Sequence, residues 1–596
     1  RFDNGLSIID TASKQETDHL QLANPEPQSI LTGRRFLYDA NLTSSNGEAA
    51  CASCHVDGDL DSLAWDLGDP DGSIVSNPLA FALGPVNAPP TFYRDFHPLK
   101  GPMTTQTLRG MDGHGPMHWR GDRFNGDGQP NLQPDGGVFN EVEAFKQFGG
   151  AFASLLGRSV AGSDGEMQAF ADFILQVLPP PNPVRNLDDS LTALQGAGES
   201  FYFNQIVDTE TCNGCHVLDV TQGFFGTDGR ASFENEPQHL KVAQLRNMYS
   251  KVGMFGMPNV PFFNAGNNGH QGDQIRGFGF LHDGSTDTLL RFLNASVFGF
   301  ADDTERKQVE QFLFAFDSNL KPVVGQQITL TDSNATTVGP RISLLINQAQ
   351  AGNADLVVKG VVNGEARGWH RDGSGLFAGD KAGEPAFSDA ALRDLAQVPG
   401  QTLTYTAVPP GSGVRIGIDR DEDAVLDNDD NCPTVADPDQ TDTDSDGDGN
   451  PCDEDDDADG LSDLFESTLG TNARLADTDG DGLSDGDEVG YDGDYSRYTP
   501  GQDTNPLLTD TDGDGLADAS DPIPLTANVG DGDLAPWNTP DGEINAADLL
   551  IAQQIVLGIR TAGDIQLTHG DVFPVGAPDG AITLQDLILL GQQVLP

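Results

Sequence analysis

Cys51-Ala52-Ser53-Cys54-His55 and Cys212-Asn213-Gly214-Cys215-His216 carry the same spacing, Cys-x-x-Cys-His. That spacing is the attachment pattern of a c-type haem. Two thiols three residues apart can each add to one vinyl group of a single porphyrin. The His directly after the second Cys then reaches the iron from the proximal side. Together the two stretches use four of the six cysteines. Structural zinc sites pair Cys-x-x-Cys units without the fixed His. Two covalent c-type haems are therefore expected, one on Cys51, Cys54 and His55, the other on Cys212, Cys215 and His216.

Outward from these stretches the chain repeats itself. Helical patterning at Ser29–Tyr38 precedes the first, and returns at Glu141–Phe148 and Glu166–Val177 before the stop and linker Pro179-Pro-Pro-Asn-Pro183. Asp189–Asn204 reads as a helix ahead of the second, with Thr286–Ala295 and Thr304–Phe316 behind it. Each half also carries a segment expected on the distal side of its haem. The first is Thr107-Leu-Arg-Gly-Met111, followed by Gly115-Pro-Met117-His118-Trp119-Arg-Gly-Asp122. The second is Gln244-Leu-Arg-Asn-Met248, followed by Gly279-Phe-Leu-His282-Asp-Gly-Ser285. Internal duplication organises this part of the chain.

On these motifs residues 25–320 resemble the di-haem cytochrome c peroxidase superfamily, which includes bacterial di-haem peroxidases, the methylamine-dehydrogenase-maturing di-haem enzyme and propeller-fused di-haem cytochromes. The stretches Asp61-Ser-Leu-Ala-Trp-Asp-Leu-Gly and Pro181-Asn-Pro-Val-Arg-Asn-Leu-Asp look closest to the propeller-fused branch. The resemblance implies two mainly α c-type cytochrome domains, residues 25–183 and 184–320. What faces each iron opposite its proximal His then decides the chemistry. Candidates at the first haem are His118, Met117, His114 and Met103; at the second they are His282, Met254, Met257 and His270. In the duplication His118 matches His282, as equivalent ligands or as equivalent neighbours of the haem. His118, and Met254 or Met257, are the preferred ligands; core packing also suits the methionines. Trp119 reads either as an electron relay between haems or as a buried structural Trp. A peroxidatic site needs an acid/base group over an open iron. Gln106 and Glu141 are weak matches to that need, which tilts the reading toward electron transfer.

Residues 1–24 read as strand–turn–strand, and Arg1-Phe-Asp-Asn-Gly-Leu-Ser-Ile-Ile-Asp-Thr-Ala-Ser resembles the end of a YVTN-type β-propeller blade. One blade cannot bury its own faces, so either a propeller lies upstream or the hairpin packs on the next domain. Residues 321–418 hold apolar runs at Gln327–Leu330, Arg341–Ile346, Asp355–Val362 and Leu403–Val408, expected as strands of a β-sandwich or meander. His370 reads as a surface histidine.

The formal net charge is −60, from 92 acidic and 32 basic residues. That disfavours nucleic acid and anionic membrane surfaces as partners. The acid is concentrated after residue 418 and keeps a register. Asp455, Asp457, Asp459, Asp463 and Glu466 fall at positions 1, 3, 5, 9 and 12 of a loop; Asp477, Asp479, Asp481, Asp485 and Glu488 repeat it, as do Asp510, Asp512, Asp514, Asp518 and Asp521. The spacing is EF-hand-like, with a backbone carbonyl expected from Leu461, Leu483 and Leu516 at position 7. Hard oxygen ligands alone point to Ca²⁺. Asp442, Asp444, Asp446 and Asp448 form a further candidate loop. Asp427 through Cys452-Asp resembles a thrombospondin type 3 repeat, which implies a Cys432–Cys452 disulfide and an oxidising compartment.

Residues 527–596 contain a second duplication. Asp533, Asp541, Asn545 and Asp548 lead into Leu549–Leu557; Asp571, Asp579 and Asp586 lead into Leu587–Val594. Two acidic loops, each followed by a helix, resemble a dockerin, with insertions after Asp533 and Asp571 that depart from its usual spacing. The expected architecture is multidomain: the hairpin 1–24, two mainly α cytochrome domains, a β-sandwich-like domain at 321–418, calcium-loop repeats at 419–526 and a small α dockerin-like domain at 527–596. The expected function is extracytoplasmic electron transfer, periplasmic or at the cell surface, with two haems and several Ca²⁺. A redox partner protein is implied, and a cohesin-like receptor or a second copy at the C-terminal module. The competing readings are a di-haem peroxidase or oxidase, and a cell-surface assembly or adhesion protein carrying haem. No apolar run approaches the ~20 residues that span a bilayer. Covalent haem is assembled outside the cytoplasm, so a signal segment removed from the chain, or a longer parent protein, is expected.

Overall fold

The computed structural model describes residues 5–21, 26, 28–74, 82–83, 97–120, 140–207, 210–227, 230–232, 240–251, 279–527, 529–575 and 579–595. Met254, Met257 and His270 lie outside the described residues. The chain divides into two compact units, Arg1–Glu422 with Leu426–Asn428, and Asp423–Val425 with Asp429–Pro596.

In the first unit the duplication is a pair of matching helix crossings. Helix Gln28–Tyr38 leads to the first Cys-x-x-Cys-His turn and packs against Asp164–Ile174. Helix Ala193–Asn204 leads to the second and packs against Asp303–Phe314. A glycine sits at each crossing. A Cβ on Gly33 would overlap the Ala169 carbonyl and Phe173; a Cβ on Gly198 would overlap the Gln308 carbonyl and approach Phe312. Helix axes approach this closely only where side chains are small at the contact. The later helix offers residues four apart in both halves, hence one turn of the same face. Capping boxes fix where two of the helices start, Ser163 with Glu166 and Thr192 with Gln195. Phe36, Leu37, Phe145 and Phe170 fill the first core; Phe201, Tyr202, Phe312 and Phe316 fill the second.

Residues 321–418 correct the sandwich expectation. They form one five-stranded antiparallel sheet in the order 327–330, 402–408, 355–362, 365–371 and 377–379. Arg341–Ile346 belongs to helix Ala335–Gln350, which packs on that sheet. Its buried Val338, Ile342 and Leu345 recur at helical spacing. Trp369, Phe377, Leu403 and Tyr405 complete the shared core. His370 is half-buried, and burial lowers its pKa. Near the start of the chain, Gly5–Ile9 pairs with Glu16–Gln21 as an antiparallel hairpin that leaves Leu6, Ile8 and Ile9 exposed.

The second unit is built of turns closed by short helices. Asp463–Leu469 and Asp485–Val489 each begin at the ninth position of an acidic loop. Cys432 and Cys452 are joined by a disulfide, with Cα atoms 5.8 Å apart. At the C-terminal end, helices Ala546–Val556 and Leu584–Val594 pack together, and Leu534, Ile551, Val572, Ile582 and Leu590 form the core. Among the described residues no helix is long and apolar enough to cross a membrane.

Candidate functional site

The two Cys-x-x-Cys-His stretches take the same local form. Cys51–Ser53 is a single tight helical turn, and Cys212–Cys215 a short helix whose first turn is capped by Thr211, accepting from Gly214 N–H at 3.0 Å. None of these four cysteines is in a disulfide, and all are half-buried. Burial raises the pKa of the Cys51 thiol to about 11 and of Cys212 to about 12. The histidines are held alike. His55 Nδ1 meets the Gln106 carbonyl at 2.8 Å, and His216 Nδ1 meets the Ala243 carbonyl at 2.6 Å. A carbonyl only accepts, so Nδ1 donates, and Nε2 carries the lone pair of the tautomer that can ligate a metal. Burial holds His55 below its ordinary pKa, in the neutral form that binds metal. The Tyr202 hydroxyl donates to the His216 carbonyl.

This arrangement corrects the place of the Leu-Arg segments. Gln106 and Ala243 directly precede Thr107-Leu-Arg109 and Gln244-Leu-Arg246. Their carbonyls meet the imidazoles at Nδ1, so these stretches pack behind the histidines rather than opposite them. What Gln106 offers His55 is its backbone carbonyl, not its side chain. Arg109 donates to the Asp57 carbonyl at 2.9 Å, tying the segment to the turn after His55.

Beyond them the halves exchange hydrogen bonds about a local two-fold. Thr104 N–H donates to the His282 carbonyl at 2.6 Å, and Lys241 N–H donates to the Trp119 carbonyl at 2.8 Å. Thr104 and Lys241 each stand two residues before the carbonyl that holds a proximal His. The residue equivalent to His282 is consequently Trp119, not His118, one position away. The Trp119 and His282 rings meet edge to face, 4.8 Å between centroids, and Trp119 Nε1 donates to Thr104 O at 2.8 Å. His118 lies half-buried with its ring 6.3 Å from Phe148. Met117, 1% exposed, packs in the same cluster as Met111 and Met167. Met103 and His114 are buried. Glu141 is half-buried at a helix start, and burial raises its pKa.

In the second unit the acidic loops share one geometry. Asp442, Asp444 and Asp446 bring carboxylate oxygens within 4.8 Å of one another, as do Asp455, Asp457 and Asp459, and Asp477, Asp479 and Asp481. The first carboxylate of each loop accepts from a glycine N–H five residues on: Gly447 at 3.3 Å, Gly460 and Gly482 at 3.0 Å, and Gly515 at 2.8 Å for Asp510. Those glycines have φ between 98° and 110°, the left-handed turn that a sixth position requires. Buried oxygens of Asp457, Asp479, Asp512, Asp521 and Glu466, and both of Glu488, have no hydrogen-bond partner. A buried carboxylate without a partner is neutralised by a proton or by a cation. Burial and the neighbouring acids raise Glu466 to about 8 and Glu488 to about 9. Leu461 is buried while Leu483 and Leu516 are half-buried, each with its N–H on the fifth-position Asp.

The ninth-position acids behave differently. Both oxygens of Asp485 are taken by Thr478, and both of Asp518 by Thr511, through N–H and hydroxyl; Asp463 accepts from Asp456 N–H. They brace the loops. In the C-terminal repeat, Asp548 accepts from the N–H groups of Leu534, Ala535 and Asn545, and Asp586 from those of Val572, Phe573 and Thr583. Asp533 and Asp571 each keep one buried oxygen unpartnered. Asp448, Asp541 and Asp579 are exposed, and Asn545 caps the following helix. Loop spacing does not pick out Asp423, Asp430 and Asp437, seven residues apart, which also converge within 4.8 Å. Nor does it weigh the glycines, although the repeated Asp-Gly pairs carry that signal.

No family model matches the chain, and no curated protein matches it. Among solved structures, hydrazine synthase of Kuenenia stuttgartiensis pressurised with xenon is 17% identical with a TM-score of 0.32, covering 49% of this chain and 88% of that chain. A MauG-like protein associated with microbial copper homeostasis is 15% identical with a TM-score of 0.23, covering 49% and 88%. Neither likeness assigns the chain to a family.

Proposed function

We propose that the chain is an extracytoplasmic di-haem c-type cytochrome that transfers electrons, with calcium-stabilised acidic loops and a C-terminal docking module. One observation carries the haem reading: both Cys-x-x-Cys-His turns present two cysteines outside any disulfide and a His whose Nδ1 is held by a carbonyl in the equivalent place. Cys51 and Cys54, and Cys212 and Cys215, would hold the porphyrins, with His55 and His216 on the irons. Bound haem supplies a one-electron couple. The chain's own part is to fix each imidazole, exclude water with the two phenylalanine-rich cores, and bring the halves together at Trp119 and His282. That edge-to-face pair supports a relay role for Trp119. The unpartnered carboxylates support Ca²⁺ at the loops beginning with Asp455, Asp477 and Asp510, and at Asp533 and Asp571. A redox partner protein would exchange electrons with the haem unit, and a cohesin-like receptor or a second copy would engage the C-terminal module.

Glu141 favours a second reading, peroxidase or oxidase chemistry. Burial raises its pKa, the direction that acid/base chemistry near neutrality favours. Ferric EPR separates the two. Two low-spin signals and slow reaction with peroxide are expected; a large high-spin signal with rapid peroxide reaction would overturn the electron-transfer reading.

A further inference from the structure

Between the two halves lies a buried turn that neither attachment motif uses. Residues 113–115 run alongside 225–227: Phe225 N–H donates to the Gly113 carbonyl at 2.8 Å, and a Cβ on Gly226 would overlap the His114 backbone. Two cations of the second half close its ends. Arg246, 2% exposed, donates to the Gly110 carbonyl at 2.7 Å and to Gln244 and Asn319, and lies 4.6 Å over the Phe225 ring. Lys241, also 2% exposed, donates to the Pro116 carbonyl and sits 5.3 Å from the centre of the Trp119 ring. His114, in this turn, is 4% exposed and feels the charge of both. Neither of its ring nitrogens has a hydrogen-bond partner of good geometry, although the backbone of His114 and Gly115 approaches them. Burial holds the imidazole neutral, and Lys241 and Arg246 push the same way. Asp112, which acts on Arg246, is exposed.

A buried polar group without a partner costs about 1–3 kcal/mol. A neutral imidazole always keeps one N–H donor. A donor enclosed with an ammonium and a guanidinium is matched by an anion, and a carboxylate accepts such bonds at full charge. We propose that His114 and Lys241, backed by Arg246, form a carboxylate pocket between the halves, filled by a propionate of one of the two haems. The inference rests on the haem reading above. Two observations favour a propionate over a dissolved anion. The cluster is drawn from both halves, and Lys241 stands two residues before Ala243, whose carbonyl holds His216. A carboxylate on a covalently attached porphyrin also loses no translational freedom on entering.

The test uses the full, haem-loaded chain. Pyridine haemochrome counts two haems per wild-type chain; a count of zero defeats the haem reading itself and is thereby told apart. With both haems present, His114→Ala leaves the propionate charge less compensated and favours the ferric state. One haem's reduction equilibrium is expected to fall about tenfold, about 59 mV for a one-electron couple. Its propionate bending band in resonance Raman should shift too. His114→Gln, which keeps an N–H donor, should restore most of the change, and Lys241→Met should move the same haem in the same direction. If His114→Ala fails to load both haems, the other two variants decide by the same readouts. Unchanged potentials and Raman bands overturn the pocket. So do wild-type potentials that track formate concentration and lose that dependence in the variant, because a dissolved anion is then the occupant.

Discussion

Glu488 is fully buried with both carboxylate oxygens unpartnered, close to Asp479, Asp481, Asp485 and Asp518. Its charge is a liability without a cation and an asset with one. Glu488→Gln should therefore act in opposite directions: in chelator the variant should melt above wild type, by several degrees, and in millimolar Ca²⁺ below it. At about 2–4 °C per kcal/mol for 150–250 residues, the shifts are within reach of ordinary melting curves. Shifts of the same sign in both conditions would remove Glu488 from the ligand set. The two Cys-x-x-Cys-His turns and this acidic register are legible in the sequence, because regular spacing marks them. Others are not. His118 and Trp119 are adjacent, and matching His282 to a histidine is the natural alignment. Only the hydrogen bonds of Thr104 and Lys241 put the equivalence on Trp119. Backbone carbonyls such as those of Gln106 and Ala243 carry no residue signature at all. Likewise Asp548 and Asp586 resemble ligands by type, and only the fold shows that they also tie backbone N–H groups together.

At the scale of elements, the two helix crossings depend on single glycines. Gly198→Ala forces the Ala193–Asn204 helix off the Gln308 carbonyl. Overpacking of this kind costs about 1–3 kcal/mol. The haem-loaded variant should lose that much stability in denaturant titration, and a change under 0.5 kcal/mol, on the order of an ordinary surface substitution, would mean the helices do not cross this closely. The acidic loops are also linked in series. Asp459 Oδ2 accepts from Gly486 N–H at 2.8 Å, and Asp481 Oδ2 from Ala519 N–H at 3.0 Å, so the fifth position of one loop grips the tenth position of the next. Asp481→Ala should accordingly weaken Ca²⁺ binding at two loops, its own and that beginning with Asp510. Calorimetric titration counts them: loss of a single site, with the remainder unchanged, would argue that the loops bind independently. Helix pairing around each haem stretch is legible because apolar spacing and caps agree. The helix Ala335–Gln350 is not, because Arg341–Ile346 read in isolation alternates like a strand. Its helical period emerges only with Val338 and Leu345 included.

For the acidic unit as a whole, pH and cation should act against each other. Without metal, Glu488 is raised to about 9, Glu466 to about 8, and Asp457 and Asp512 to about 6. In the unfolded chain the same groups titrate near their ordinary values, about 4. Between pH 4 and 9 the folded apo form thus holds more protons than the unfolded form, and its stability falls as pH rises. The contribution is fully present below the unfolded values and is lost as pH climbs through 6 to 9. Bound Ca²⁺ reverses the sign, because ligation requires the carboxylates deprotonated. In chelator the unit should melt at a higher temperature at pH 5 than at pH 8; in saturating Ca²⁺ it should melt higher at pH 8. The disulfide between Cys432 and Cys452 must stay intact in both arms, since reduction would loosen one loop independently of protons. Limited proteolysis of the full chain at the two pH values gives the same comparison without heating. The fragment from 429 onward should be cut fastest in chelator at pH 8 and slowest in Ca²⁺ at pH 8. Parallel pH slopes with and without Ca²⁺ would show that the carboxylates are not the ligands, and the acidic loops would then be braced by their own hydrogen bonds alone.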